Sequence, residues 1–180
     1  MASNAELILR TLDHSLTGPG RIRLLGGAAL ILVYGRERST DDAALVMDGA
    51  EVQALVDMSG FSEAVEATNA ELEPRGLSLT HIWARSILTP SWRSACRVLQ
   101  LEPPFAPLSV EVPGPADLIT SKLARGDDGD LDDVMHLMRV EHLSAEVVSQ
   151  VIDTAVVPEL LREGFSTARS RLEARLARSS

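Results

Sequence analysis

The sequence predicts a mixed α/β (α+β) fold whose carboxyl-terminal half is helical. Short apolar strands alternate with helical segments up to residue 113, and only helical periodicity continues beyond it. Apolar residues make up 45% of the 180 residues, which is enough for a real core. A mixed sheet packed against helices buries such a pattern. We therefore expect an α/β core over 1–113 and a helical portion over 114–180, packed together as one structural unit.

The first half of the chain supplies the predicted sheet. Leu7, Ile8, Leu12 and Leu16 recur at helical spacing and predict a first helix over 5–16. Further helices are expected over 28–34, 50–58 and 62–70. Strands are expected over 21–25, 43–47, 77–87, 97–101 and 108–112, and the strand over 43–47 is apolar throughout, which is typical of a central strand.

The second half is predicted to contain helices over 118–125 and 131–140, separated by an acidic break, and a further helix capped by Ser144. The last segment, from Arg162 to Arg178, carries five arginines and two glutamates. This segment is either a solvated helix face or a basic surface for a phosphate backbone.

Composition excludes several classes of function. The net charge of −9 gives no overall attraction to nucleic acid or anionic lipid, and the aromatic share of 3% leaves few stacking platforms for single strands. One cysteine allows no internal disulfide, and the longest apolar run is too short to span a membrane. Because the first residues lack the segments of a signal peptide, we expect a cytoplasmic protein without a membrane partner.

The candidate ligand-binding residues of the first half lie in a glycine pair and in a polar turn. Gly26-Gly27 lies between a predicted strand and a predicted helix, where backbone N–H groups converge and phosphate can approach closely. About ten residues later, Arg36 and Arg38 could contact phosphate oxygens, and Asp42 could hold Mg²⁺ at the start of a buried strand. The alternatives are a tight turn without a ligand and a solvated loop of mixed charge.

These residues resemble a known family. The series Gly26-Gly27-x-Ala29 and Arg38-x-Thr40-x-Asp42, followed by Asp117 to Lys122 and Asp130 to Asp133, is similar to the minimal nucleotidyltransferases of the DNA polymerase β superfamily. It resembles more narrowly the AbiEii-like branch, which includes bacterial toxin nucleotidyltransferases and uncharacterised relatives. The resemblance covers about residues 21 to 140.

The resemblance implies Mg²⁺- or Mn²⁺-dependent transfer of a nucleotide from an NTP to a hydroxyl of RNA such as tRNA, of a protein or of a small molecule. It also implies a toxin role with a cognate antitoxin as partner. Lys122 would contact the triphosphate, and Asp130 and Asp133 would position that lysine or the acceptor. The residues expected to bind the nucleotide are Gly26, Gly27, Arg36, Arg38, Ser39 and Thr40.

The metal-binding pattern departs from the family at one residue. The family carries Asp-x-Asp on one strand face, whereas Asp42 is followed at the second position by Ala44. Asp41 is adjacent but alternates to the other face, Asp48 is too far along, and Glu111 is the candidate third carboxylate. Three hypotheses stay open: an active site built from Asp41, Asp42 and Glu111, a degenerate nucleotide-binding or interaction protein, or a deliberately inactivated enzyme.

Overall fold

The computed structural model describes residues 2–47, 60–83 and 88–179. The chain divides into two compact units, one of Met1–Ala84 with Arg97–Val112 and one of Arg85–Cys96 with Pro113–Ser180. The longer segment of the second unit starts at Pro113, and the shorter segment Arg85–Cys96 groups with it. The predicted boundary at 113/114 stays a prediction. The packing of the two halves as one structural unit stays a prediction.

The first unit contains a sheet and helices, and the mixed α/β fold class is confirmed. Its helices are α1 (Asn4–Ser15), α2 (Gly26–Tyr34) and α3 (Phe61–Leu72), the last followed by a 3₁₀ turn over Glu73–Arg75. Its strands are β1 (Gly20–Leu25), β2 (Asp42–Met47), β3 (Ser78–Trp83), β4 (Arg97–Val98) and β5 (Leu108–Val112).

The five strands form one mixed sheet in the order β3-β2-β1-β5-β4. Strand β1 is central, antiparallel to β2 and parallel to β5. Strand β2 is parallel to β3, and β4 is antiparallel to β5 at the other edge. The glycine pair Gly26-Gly27 follows β1 directly. It therefore lies at the end of a strand that has a neighbouring strand on each side.

The two faces of the sheet differ in character. Ile22 and Leu24 of β1 lie on a face whose residues are almost completely buried, as do Leu45 and Val110 of the neighbouring strands. Helices α1, α2 and α3 pack against β2 and β3. The opposite face is named here the polar face, and its described members on β1, β2 and β5 are Arg21, Arg23, Leu25, Asp42, Ala44, Ser109 and Glu111.

The outer edge of β3 is bound by a side chain of α3. The Asn69 amide donates to the Leu79 carbonyl at 3.1 Å and accepts from the Leu79 N–H at 2.7 Å. Residues alternate along a parallel ladder, so Leu79 directs both backbone groups away from β2 while Ser78 donates to Asp41 on the β2 side. Asn69 therefore satisfies the outward backbone groups of Leu79, near the start of this edge strand.

The second unit is built from four described helices. They are α4 (Pro115–Leu123), α5 (Asp128–Val140), α6 (Ala145–Thr154) and α7 (Arg162–Ser179), with a 3₁₀ turn over Glu159–Leu161. Leu118 and Ile119 of α4 and Leu131 and Leu137 of α5 are fully buried between them. Asp127 and Ser144 cap α5 and α6 by accepting hydrogen bonds from first-turn N–H groups.

Several boundaries differ from the sequence prediction. Helix α2 starts at Gly26, so the glycine pair is the first turn of the helix and not a separate turn before it. Helix α4 starts at Pro115, because Gly114 caps it and proline suits the first helical position. Strand β4 has two residues where 97–101 was expected, and the helix predicted over 50–58 lies outside the described residues.

Candidate functional site

The glycine pair forms an uncapped helix start. Gly26 has a φ of +70°, and Gly27 follows it within the first turn of α2. Leu25, which precedes the helix, offers no side-chain hydrogen bond to the first turn, and no acidic residue lies in that turn. Neither the residue before the helix nor its first turn therefore supplies a side-chain acceptor for the free N–H groups at the positive end of the helix dipole.

Arg38 and Thr40 lie directly against this helix start. A Cβ atom built on Gly27 would stand 2.7 Å from Nη2 of Arg38 and 3.2 Å from Oγ1 of Thr40. Any residue other than glycine would have to displace the guanidinium. The predicted nucleotide-binding residues Gly26, Gly27, Arg38 and Thr40 are thus brought together, and a guanidinium stands beside the positive end of α2.

Asp42 joins this group through Thr40. The Thr40 hydroxyl donates to the backbone carbonyl of Asp42 at 3.0 Å and to its Oδ1 at 3.2 Å. Asp42 is exposed, whereas Thr40 is buried. Of the other predicted residues of this turn, Arg36 is half-buried and Ser39 and Asp41 are exposed. The Asp42 carboxylate therefore stands on the polar face with its orientation fixed from one side.

Ala44 occupies the second carboxylate position of the family pattern, and the structure places it beside the glycine turn. Ala44 pairs with Leu25 across β1 and β2, and its Cβ stands 3.6 Å from a Cβ built on Gly26. It shares the polar face with Asp42, since side chains two apart on a strand point the same way. A methyl group is therefore found where the pattern requires a carboxylate.

Glu111 is engaged by two arginines of β1. It pairs with Arg23 in the parallel register, and its Oε2 accepts from Arg23 Nε at 2.9 Å. Its Oε1 stands 3.7 Å from Nε of Arg21. The carboxylate that was predicted as the third metal ligand is thus the counter-ion of two guanidinium groups.

The predicted metal set of Asp41, Asp42 and Glu111 is not gathered into one cluster. Within 2–47, 60–83 and 88–179, no three His, Cys, Asp or Glu side chains lie together in a way that could hold a metal ion. Asp48 lies outside the described residues. Among the described residues, none but Asp42 offers a carboxylate beside the glycine pair, and this set does not fit a site for two metal ions. The metal assignments stay predictions.

The second unit contains a buried group of charges around Lys122. Lys122 Nζ stands 3.0 Å from Oδ1 of Asp130 and 2.8 Å from Oδ2 of Asp133, and the three side chains are at most 5% exposed. Arg125 adds a second cation to Asp130 through Nε at 2.7 Å. Although burial alone would raise the pKa of Asp130, the hydrogen bonds and charges of Arg125 and Lys122 hold it below its ordinary value.

This geometry joins α4 to α5 and brings together the three residues that the sequence grouped. Asp130 and Asp133 hold Lys122 through ion pairs, and their positioning of this lysine for a reaction stays a prediction. Contact of Lys122 with a triphosphate stays a prediction.

Asp117 is a buried carboxyl that the sequence did not single out for a role of its own. It is fully buried, and its Oδ1 accepts from the Thr89 N–H at 2.7 Å. Its Oδ2 makes no hydrogen bond to any described residue. Burial raises the pKa of Asp117, partly offset by the bonds from Thr89. The contact joins residues 28 positions apart, so no local pattern could have predicted it.

The arginines of α7 are paired within their own unit. Arg171 and Arg175 both bind Asp128, at 2.7 and 2.6 Å, and Arg175 also binds Asp132. Arg169 binds Asp153 and Glu173. These pairs are solvent-exposed and individually weak, but they neutralise most of the positive charge of the segment. The structure therefore favours the solvated helix face over a basic surface for a phosphate backbone.

A comparison with protein families decides the assignment. The profile of a family described as "Nucleotidyltransferase of unknown function (DUF6036)" matches residues 9–168. The chain belongs to this nucleotidyltransferase family. The match includes residues of both units, from α1 to the middle of α7. It supports the nucleotidyltransferase reading of the sequence and does not extend to the AbiEii-like branch.

No curated protein and no solved structure gives a significant match to the chain. In the described residues, no helix of this nucleotidyltransferase family member is long and apolar enough to cross a membrane. Sequence reasoning missed Arg21 and Arg23 as the partners of the predicted site residue Glu111. The alternation of Arg21 and Arg23 along β1 was visible in the sequence. Their pairing with Glu111 depends on which strand lies beside β1, and Arg23 and Glu111 are 88 residues apart.

Proposed function

We propose that this member of the nucleotidyltransferase family binds a nucleoside triphosphate at the glycine pair, with the phosphates beside both the start of α2 and Arg38. The observation that carries the proposal is the guanidinium of Arg38 docked against Gly27, beside a helix start without a cap. A helix start carries about half a positive charge. A phosphate beside both groups would receive hydrogen bonds from backbone N–H groups and from the guanidinium.

A triphosphate suits this place for geometric reasons as well. Backbone N–H groups at a helix start point at an approaching phosphate, and the absence of a side chain at Gly27 leaves room for the guanidinium. Arginine binds phosphate oxygens with two parallel N–H groups. Arg36, Ser39 and Thr40 would line the same turn. Asp42 would hold one Mg²⁺ or Mn²⁺ ion that arrives with the triphosphate and supplies positive charge to its oxygens.

The reaction of the family would be transfer of the nucleotide to an acceptor hydroxyl. The hydroxyl oxygen forms a bond to the α-phosphorus, the bond to the bridging oxygen breaks, and pyrophosphate leaves. We expect this step to be slow in the natural sequence, because Ala44 supplies no carboxylate and Glu111 is held by Arg23. The acceptor, predicted as a hydroxyl of RNA or protein, and the toxin–antitoxin role are carried by the sequence resemblance alone.

Binding is tested by calorimetry with each NTP in the presence of Mg²⁺. Arg38→Ala should weaken binding at least about tenfold, the effect of losing one charge-assisted hydrogen bond. Arg75→Ala is the matched control, because Arg75 is an exposed arginine of the same unit outside the predicted site. Unchanged binding by Arg38→Ala would show that the phosphate site is wrongly assigned.

Transfer is tested with radiolabelled NTP, Mg²⁺ or Mn²⁺ and total tRNA. Ala44→Asp should raise label transfer above that of the natural sequence, and Ala44→Asn, of equal size without the charge, should not. If Ala44→Asp transfers no label, the transferase reading fails. The alternative then stands: a nucleotide-binding or interaction protein, favoured by the methyl group at residue 44 and the ion pairs of Glu111.

A further inference from the structure

Strand β4 forms one edge of the sheet, and the backbone of Val98 points outward from it. In an antiparallel pair, residues that exchange hydrogen bonds with the neighbouring strand alternate with residues that point away from it. Leu99 donates its N–H to the Val110 carbonyl at 2.7 Å, so Leu99 points towards β5. Val98 precedes Leu99 and lies opposite Glu111 in the register. Its N–H and carbonyl therefore point away from β5.

The hydrogen bonds of β5 to its other neighbour agree with this alternation. The Gly20 N–H donates to the Pro107 carbonyl at 2.9 Å, so Pro107 points towards β1. Glu111 lies an even number of residues from Pro107 along β5 and points the same way, which leaves Val98 unbonded on the β5 side. Within the described residues, no group is hydrogen-bonded to the outer side of Val98 either. This edge can therefore pair with a strand from outside.

The same edge also carries exposed apolar surface. Among the side chains that the structure describes in the first unit, Val33 and Val98 are the exposed valines, leucines and isoleucines, at 37% and 54%. Both line one depression of about 270 Å³, together with Leu32, Leu99 and Val112. All of these lining residues belong to the first unit. An outward backbone and a depression with apolar walls lie side by side, as in sites that bind an added strand.

A second copy of β4 complements this edge. Two antiparallel copies can be centred on Val98, so that each Val98 donates its N–H to the carbonyl of the other. In this register Arg97 of each copy stands opposite Leu99 of the other, and no like charges are directly opposed. Arg97 shares a face of the sheet with Val112, which lines the depression. Leu99 of the second copy therefore stands on the same face as the depression.

We propose that two copies of this chain form a symmetric dimer through an antiparallel β4–β4 pair centred on Val98. The contact uses the same surface of both copies, as in other two-fold dimers. Val33, Val98 and Leu99 supply its apolar part. Because few residues take part, the interface is small, and we expect a weak dimer whose fraction rises with concentration. The dimer does not depend on the nucleotide binding proposed above.

The experiment is sedimentation velocity of the full chain over a concentration series from about 1 µM to about 1 mM, the range of weak association. The natural sequence should change from monomer to dimer within this series. If it stays monomeric throughout, the dimer is overturned, and the edge is open to an extended segment of a different protein.

Val98→Pro removes the outward N–H from each copy. Proline is tolerated in an edge strand where the N–H points away from the sheet, so the pairing of β4 with β5 should persist. The variant loses two hydrogen bonds per dimer, and dimerisation should weaken at least about tenfold. Circular dichroism checks the fold. A folded Val98→Pro that dimerises like the natural sequence would contradict the β4–β4 pair.

Val33→Asp tests the apolar part of the contact without touching β4. It should weaken dimerisation, because it places a charge on apolar surface that the dimer buries. Val140→Asp is the matched control: Val140 is an exposed valine near the end of a helix, as Val33 is, but it belongs to the second unit. Val140→Asp should leave dimerisation unchanged. Equal effects of the two variants would place the interface elsewhere.

The register is tested by disulfide cross-linking in a Cys96→Ser background, which removes the natural thiol. In the proposed register Arg97 and Leu99 of opposite copies form a pair without hydrogen bonds, with Cα atoms about 4.5 Å apart. This separation lies within the range of disulfides. An equal mixture of Arg97→Cys and Leu99→Cys should therefore cross-link faster than either variant alone. A mixture that cross-links no faster than the single variants would refute this register.

Discussion

Replacing Gly27 with alanine should weaken nucleotide binding without destabilising the fold. The added Cβ would stand 2.7 Å from Nη2 and 3.5 Å from Cζ of Arg38, so the guanidinium must move. Because this group ends a flexible side chain, the movement costs little. Gly27 has no positive φ, and alanine is favoured over glycine inside a helix by about 1 kcal/mol. Stability should therefore stay the same or rise slightly.

The loss of affinity follows from the displaced arginine. A hydrogen bond to a charged group contributes about 1.5–3 kcal/mol, which corresponds to about 10- to 150-fold in the dissociation constant for ATP. Thr40 Oγ1, at 3.2 Å from the same Cβ, would also have to shift by a few tenths of an ångström. Because Thr40 is buried, this second shift is the main source of any stability cost.

Gly26→Ala is the matched control for this experiment. Gly26 has a φ of +70°, and its nearest neighbour, Ala44 Cβ, is at an ordinary contact distance of 3.6 Å. Alanine there should cost about 1–2 kcal/mol of stability through backbone strain and should leave Arg38 in place. Urea unfolding followed by circular dichroism and ATP calorimetry measure the two effects. If Gly27→Ala binds ATP like the natural sequence, the docked guanidinium is not a phosphate contact.

Further predictions concern the buried charges of the second unit. Lys122→Met should lower the free energy of unfolding by about 3–5 kcal/mol, because it removes the buried cation that lies between the carboxylates of Asp130 and Asp133. In urea unfolding, Asp132→Asn on the exposed side of α5 should cost less than about 1 kcal/mol. A similarly small loss for Lys122→Met would contradict a stabilising role of this buried group. The pKa of Asp130 is lowered, so the ionised carboxylate stabilises the fold at neutral pH, and this contribution is lost as the pH falls below about 3.8, the ordinary value. Asp130→Asn should therefore reduce the loss of unfolding free energy at acid pH. The pKa of Asp117 is raised, so the folded chain keeps the proton above pH 3.8, the ordinary value, and the free energy of unfolding falls as the pH rises from there. Asp117→Asn keeps the acceptor for Thr89 and should remove this dependence on pH. An unchanged dependence of stability on pH would show that Asp117 titrates normally.

Local patterns were sufficient to predict most elements of the sheet. Strand β1 alternates because one of its faces is buried, and β2 is continuously apolar because both of its faces are buried. The sequence therefore predicted both strands close to their observed bounds. The start of α2 was misplaced by two residues, because glycine lowers helix propensity and Gly26 adopts a positive φ. Strand β4 was overestimated because short apolar runs carry no information about a pairing partner.

The candidate site was predictable in its residues and not in its pairings. Gly27, Arg38, Thr40 and Asp42 are close in sequence, and the structure brings them together around one helix start. Glu111 alternates with the buried Val110 and Val112, which is visible in the sequence, but its ion pair with Arg23 depends on which strand lies beside β5. The order of the strands in the sheet depends on the whole chain and cannot be predicted from the sequence of a single strand.

The amide of Asn69 has a consequence for how this protein behaves at high concentration. An edge strand with free backbone groups recruits strands from other chains, which is a common route to aggregation. By pairing with both outward groups of Leu79, Asn69 removes one anchoring point, near the start of β3, at which an incoming strand could pair. Asn69→Leu would leave the backbone groups of Leu79 available to another chain. We expect this variant to aggregate at concentrations at which its nucleotide binding is still unchanged.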